Sequence, residues 1–211
     1  MDMMKFVSKN KTTITMIALG IVVFVGTSYV STVQAKGLGY RWYSKTTAVQ
    51  FNVPFNDTWK TPIQAAMSSW NNVADANTSD SATSLPKLSV TTTDVENDFY
   101  TVNSTSYPWS GKMFPTKYTS GGKEYLSATD IAFNLRYSFT NGAEENKIDI
   151  QVNAAHELGH ALGVAHCHEE GETHNSGDSN NTMYPSVFFN TTYQRSLESY
   201  DTASFQLIYW D

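Results

Sequence analysis

His156-Glu157-Leu158-Gly159-His160-Ala161-Leu162-Gly163-Val164-Ala165-His166 is the stretch on which the reading of this 211-residue chain turns. His156 and His160 are four residues apart, so on a helix they lie one turn apart on one face. Two imidazoles placed so reach a single ion at about 2.0–2.1 Å. Glu157 stands next to the first of them, beside the ion, where it can hold a water. Gly163 suits the end of that helix, because it accepts a left-handed conformation that side chains resist. The chain then turns back and offers His166 as a third ligand. Three protein ligands leave a fourth position for water, which is the arrangement of a catalytic zinc and not of a closed structural one. A polar helix with surface histidines is the plain alternative, yet a pattern of five fixed residues arises by chance at about 10⁻⁷ per start position. All five histidines of the chain lie between 156 and 174. Upstream, Ile148, Val152, Ala155 and Leu162 mark the apolar face of the same helix. Asp149 falls near its start, where the macrodipole favours an acid.

Downstream comes Asn181-Thr182-Met183-Tyr184-Pro185. H-E-x-x-H-x-x-G-x-x-H followed by such a methionine is the pattern of the metzincin zinc proteases. The chain resembles them, and Met-Tyr-Pro is similar to their matrixin branch (matrix metalloproteinase-like, peptidase M10). The resemblance implies an α+β metzincin catalytic domain: a twisted mixed β-sheet, long helices, the zinc-site helix, a Met-turn under the metal and a C-terminal helix. It implies one catalytic Zn2+ held by His156, His160 and His166, with Glu157 as the catalytic residue. Calcium binding stays open. The stretch after Met183, with Pro185, Val187 and Phe188, would line the specificity pocket, and its valine and phenylalanine suggest apolar substrate side chains. Pro185 stands where some metzincins place a tyrosine, so Tyr184 receives no such role.

The departures from the family are informative. No histidine precedes His156, so the second, structural zinc of matrixins cannot be bound in their way. No inhibitory cysteine stands ahead of Lys36–Tyr40, so latency by a cysteine switch is not expected. Residues 167–182 form a longer insert than is usual, with Cys167, His168, Glu169, Glu170, Glu172, His174 and Asp178. They read either as a second metal site or pocket rim, or as a solvated acidic loop. Cys167 reads more simply as a buried or idle thiol than as a fourth ligand.

Further from the motif, Thr47–Val53 alternates as a strand with Val49, Phe51 and Val53 on one face. Trp59, Ile63, Ala66, Met67, Trp70 and Val73 recur at helical spacing, with Thr61-Pro62 as a candidate start. Residues 77–84 read as a loop. Leu88, Val90 and Thr92 alternate as a strand, as do Ile131, Phe133 and Leu135. Residues 107–127, rich in Gly, Ser, Pro and Tyr, form a connection of unread shape. Ser199–Tyr209 reads as a last helix with Ala203, Leu207 and Ile208 inward.

At the N-terminus, Lys5, Lys9 and Lys11 precede an apolar run from Ile14 to Val25, and Val33-Gln34-Ala35 has the small residues of a cleavage site. This is the pattern of a secretory signal peptide over residues 1–35, leaving a catalytic domain over 36–211. An uncleaved membrane anchor is the alternative, because Ile14 to Val33 is almost long enough to span a bilayer. The whole chain has a net charge of −6, and the leader holds three Lys and one Asp, so the remainder is at −8. That acidity argues against nucleic acid as a partner. With 40% hydrophobic and 13% aromatic residues a sizeable core can form, which it must, since a single cysteine allows no internal disulfide. The expectation is a secreted, extracellular, monomeric zinc metalloendopeptidase acting on proteins or peptides. The alternatives are a membrane-anchored protease, or a zinc-binding interaction domain without turnover.

Overall fold

Phe51, Phe99 and Phe133 show no exposed surface, and the strands that carry them build one side of the core. The computed structural model describes residues 34–43, 48–76, 85–93, 95–168 and 177–209. The expected export segment up to residue 33, the expected loop over 77–84 and the acidic residues within 169–176 lie outside the described residues. The strands are β1 (Tyr40–Trp42), β2 (Ala48–Asn52), β3 (Lys87–Thr91), β4 (Phe99–Val102), β5 (Gly111–Ser120), β6 (Lys123–Asn134), β7 (Phe139–Thr140) and β8 (Ile148–Asp149). The helices are α1 (Asp57–Ala76), α2 (Ile150–Ala161) and α3 (Ser199–Tyr209).

Strand β6 organises the sheet. It pairs antiparallel with β5 along almost its whole length. Its other edge is shared by β1, parallel at Glu124–Leu126, and by β4, parallel at Ile131–Asn134. The parallel pair β2–β3 joins the start of β4 through a bridge from Asn52 to Asp98. The order is therefore β3-β2-β4-β6-β5, with β5 alone running backwards as the outer edge. The β5–β6 hairpin fills the stretch that the sequence left unread. Its turn is Gly121-Gly122, with φ of +58° and +76°, the left-handed geometry that suits tight hairpins. Exposed side chains along β5 and a register shift at Thr116/Lys117 hide its alternation.

Helix α1 begins at Asp57, ahead of the expected Thr61-Pro62, and Pro62 lies within it. Its first turn is closed by Asn56, whose carbonyl accepts from Trp59 N and Lys60 N. Ile63, Ala66, Met67, Trp70 and Ala74 form its buried stripe. Trp59 meets Phe133 with ring centroids 5.5 Å apart, and Phe133 meets Phe99 at 5.9 Å. Burying each such side chain contributes about 1.5–3 kcal/mol. Two tryptophans fasten α2 to its surroundings: Trp70 Nε1 donates to Ala155 O at 2.9 Å, and Trp42 Nε1 donates to Ala161 O at 2.8 Å. The last helix is present as expected but rotated. Tyr200, Asp201, Ser204, Phe205 and Tyr209 point inward, whereas Leu207 is 45% exposed. Phe205 and Tyr209 set that phase, because their tilted rings meet at 4.9 Å and both are buried in the core.

Candidate metal centre and catalytic cleft

Helix α2 is short and held at both ends. Asp149 is its N-cap, and its Oδ1 accepts from Val152 N at 2.9 Å. Leu162 closes the other end, and Gly163 follows with φ +87°. A side chain at 163 is excluded twice over, by that φ and because a Cβ would lie 2.4 Å from Tyr40 O. The return after Gly163 pairs with the N-terminal segment: Leu38 N donates to Gly163 O at 2.7 Å and Ala165 N to Lys36 O at 3.2 Å.

This frame brings His156, His160 and His166 together as expected. His166 Nε2 lies 3.1 Å from His160 Nε2 and 3.2 Å from His156 Nε2. The outer nitrogens of two rings are anchored: His156 Nδ1 contacts Thr182 O and His160 Nδ1 contacts Val164 O, both at 2.8 Å. A carbonyl only accepts, so both Nδ1 atoms hold the proton and both Nε2 atoms present lone pairs. Burial, with the neighbouring imidazoles, pushes His160 down to about 4 and His156 well below the usual imidazole range. Neutral rings with lone pairs aimed at one point fit zinc by donor type and number.

Met183 has no exposed surface and packs against Gly159 of the helix that carries His156 and His160. Gly159 makes room for it: a Cβ there would lie 2.2 Å from Met183 Sδ and 2.8 Å from Trp70 Cζ2. Asp201 on α3 holds the turn, accepting from Thr182 N at 2.9 Å and Met183 N at 3.0 Å. The peptide that orients His156 is thus anchored to the C-terminal helix. Asp201 received no role from the sequence, since its partners lie 18 and 19 residues away with no local pattern.

Glu157 is 6% exposed and lies in the cleft. Its Oε2 accepts from Met113 N on the edge strand at 2.8 Å. Burial pushes its carboxyl up to about 8, against the pull of the Met113 N–H and of Lys112, and a bound cation would pull it down again. The cleft encloses about 620 Å³. Leu38, Tyr40 and Pro115 wall one part of it, and Trp109, Ile148, Asn153, Val187 and Phe189 also line it. Pro185 and Val187 lie there as expected. Phe188 packs instead between Tyr184 and Tyr193, and Phe189 takes the expected place. Cys167 is not part of the histidine cluster; its Sγ meets His168 Nδ1 at 3.2 Å, and the His168 ring packs on Tyr184. The loop between β4 and β5 is pinned by Asn134, whose amide donates to Ser104 O, Tyr107 O and Trp109 O, and by Arg136 on Thr105 O and Tyr107 O.

Among the described residues no helix is long and apolar enough to cross a membrane. No curated protein matches the chain. Residues 34–210 match the sequence model of the family described as Matrixin. Because that match spans the whole described fold and not the histidine motif alone, the chain belongs to the matrixin family and is a zinc metalloendopeptidase domain.

Proposed function

We propose that residues 1–35 direct export and are removed, and that residues 36–211 act outside the cell on proteins or peptides. In this reading His156, His160 and His166 hold one catalytic zinc and Glu157 is the general base. The observation behind it is the convergence of three Nε2 atoms beside a buried carboxylate that lines a cleft. Zinc, when bound, supplies a Lewis acid that acidifies water and polarises the scissile carbonyl. Glu157 Oε1 takes a proton from the attacking water and passes it to the departing amine, while Oε2 stays on Met113 N. The edge strand thereby fixes the base against the substrate path.

A new N-terminus at Lys36 agrees with the fold, since Lys36 N donates to Ser204 Oγ at 3.1 Å and Gly37 bridges Val164. Two measurements test the proposal. Sequencing of culture supernatant should read Lys36-Gly37-Leu38. The purified protein should hold about one zinc per chain, and should lose peptide cleavage to a chelator and regain it with zinc. Recovery of uncleaved chain in membranes alone would move the reading to an anchored protease. A zinc-loaded protein that cuts no member of a broad peptide library would move it to an interaction domain.

A further inference from the structure

His156 and His160 are carried by α2, so the helix itself sets where their rings point. His166 lies beyond Ala161, the last residue of that helix, on the return after Gly163. No regular ladder fixes such a stretch, and each of its buried polar groups needs a partner from elsewhere. The peptide between His166 and Cys167 has both of its polar groups held. Tyr200 Oη donates to His166 O at 2.8 Å. Cys167 N donates to Met183 O at 2.9 Å. Both holds lead back to the start of α3. Tyr200 belongs to that helix, and so does Asp201, whose Oδ1 accepts from Met183 N at 3.0 Å. A peptide held at one group can still rotate about it; held at C=O and N–H together, its plane is fixed. Tyr200 is 6% exposed, and Ala165 O at 3.3 Å is a longer second acceptor for its proton. A buried hydroxyl costs free energy that its hydrogen bond must offset, and a phenylalanine would fill the same space without that cost.

We propose that Tyr200 is a positioning residue for the third zinc ligand: its hydroxyl fixes the His166–Cys167 peptide and so presets His166 before metal arrives. The inference rests on the zinc reading of the histidine triad above. Of the three ligands His166 is the one outside the helix, so it gains most from such a hold. A ligand free to swing on a loop must be ordered when the metal binds, and that ordering lowers affinity. Zinc and the hydroxyl order the same peptide, so each reduces the cost that the other meets. Tyr200 is not among the residues that line the cleft. It therefore acts through His166 and not on the substrate.

The test is zinc affinity, measured by competition with a chelator in the parent and in Tyr200→Phe, which keeps the ring and deletes the hydroxyl. The variant should bind zinc roughly tenfold more weakly, the low end for a group that orients a metal ligand. Melting of the zinc-free proteins separates positioning from plain support. A bond that serves the fold equally with and without metal cancels from the affinity. Equal zinc affinity in parent and variant therefore overturns the inference, even if zinc-free Tyr200→Phe melts earlier. A second measurement needs no variant. In the zinc-free parent the Cys167 amide hydrogen should exchange slowly, because the hold on its peptide is set without metal. Exchange there as fast as in an exposed loop overturns the inference, and this keeps the test decisive if Tyr200→Phe does not fold. A parent that binds no zinc would instead overturn the zinc reading of the triad, so the two failures are distinct.

Discussion

Glu157 and the histidines beside it have separable jobs, and substitution can separate them. Glu157→Gln keeps the shape of the side chain and an oxygen that can still accept from Met113 N. It removes the basicity. Peptide cleavage should fall by roughly 10²–10⁴-fold, the usual worth of general acid–base help, with zinc content and melting temperature retained. His160→Ala should lose zinc and activity together, because it removes one of the three converging nitrogens. A Glu157→Gln protein that cleaves as fast as the parent ends the mechanism. The triad was legible in the sequence because its geometry is local: a helical turn, a glycine and a short return place all three rings. Tyr200 and Asp201 were not legible. What makes each of them notable is a partner on another element, His166 for one and the Thr182–Met183 turn for the other, and period or spacing registers neither.

Helix α2 owes its position to contacts of the same long-range kind. Asp149 is fully buried, yet it accepts from Val152 N, from Gly142 N at 2.7 Å and from Arg195 Nε at 2.8 Å. Arg195 Nη2 adds a second bond to that carboxylate and one to Asn141 Oδ1. One side chain thus joins the start of α2 to the loop before β8 and to the turn before α3. The sequence suggested an acid that favours the helix dipole; the fold uses it as a cap and as half of a two-pronged ion pair 46 residues apart. Arg195→Ala leaves that carboxylate buried with backbone donors only. It should cost about 3 kcal/mol in chemical denaturation, the low end for a broken buried pair, because the arginine is itself partly exposed. Adding Asp149→Asn should cost much less than it does in the parent; strict additivity would mean that the pair is not coupled. The same contrast explains which elements could be read beforehand. α1 and β2 each bury one face against the core, so their periods of 3.6 and 2 survive in the sequence. β5 is an edge strand with seven consecutive exposed residues after Met113, so no alternation marks it. In α3 the buried Asp201 and Ser204 blur the apolar stripe, which explains why Leu207 was placed inward.

Asp201 ties the C-terminal helix to the Thr182–Met183 turn, whose Thr182 carbonyl contacts His156, and its titration should therefore register in the stability of the fold. Two effects oppose each other there. Burial disfavours the carboxylate, while backbone N–H groups of Glu198, Met183 and Thr182 favour it, at 2.8, 3.0 and 2.9 Å. Burial is the larger, and it pushes the carboxyl up from 3.8 to about 6. The sign follows from linkage: a group whose pKa is higher in the folded state binds more protons there. Its contribution is fully present below 3.8 and is lost as pH rises through about 6. A shift of this size corresponds to about 3 kcal/mol. Asp201→Asn holds a neutral side chain at every pH and so lacks this term. Histidine protonation and zinc release also destabilise the protein toward acid, but they act on parent and variant alike and cancel in the difference. Denaturation of both proteins in excess zinc, stepped from pH 4 to pH 7, isolates the Asp201 term. The parent's stability relative to Asp201→Asn should decline across that window. A relative gain with rising pH would mean that the three N–H donors outweigh burial. Asp201 would then be a carboxylate that the turn stabilises, as the anchor of a cationic centre would require.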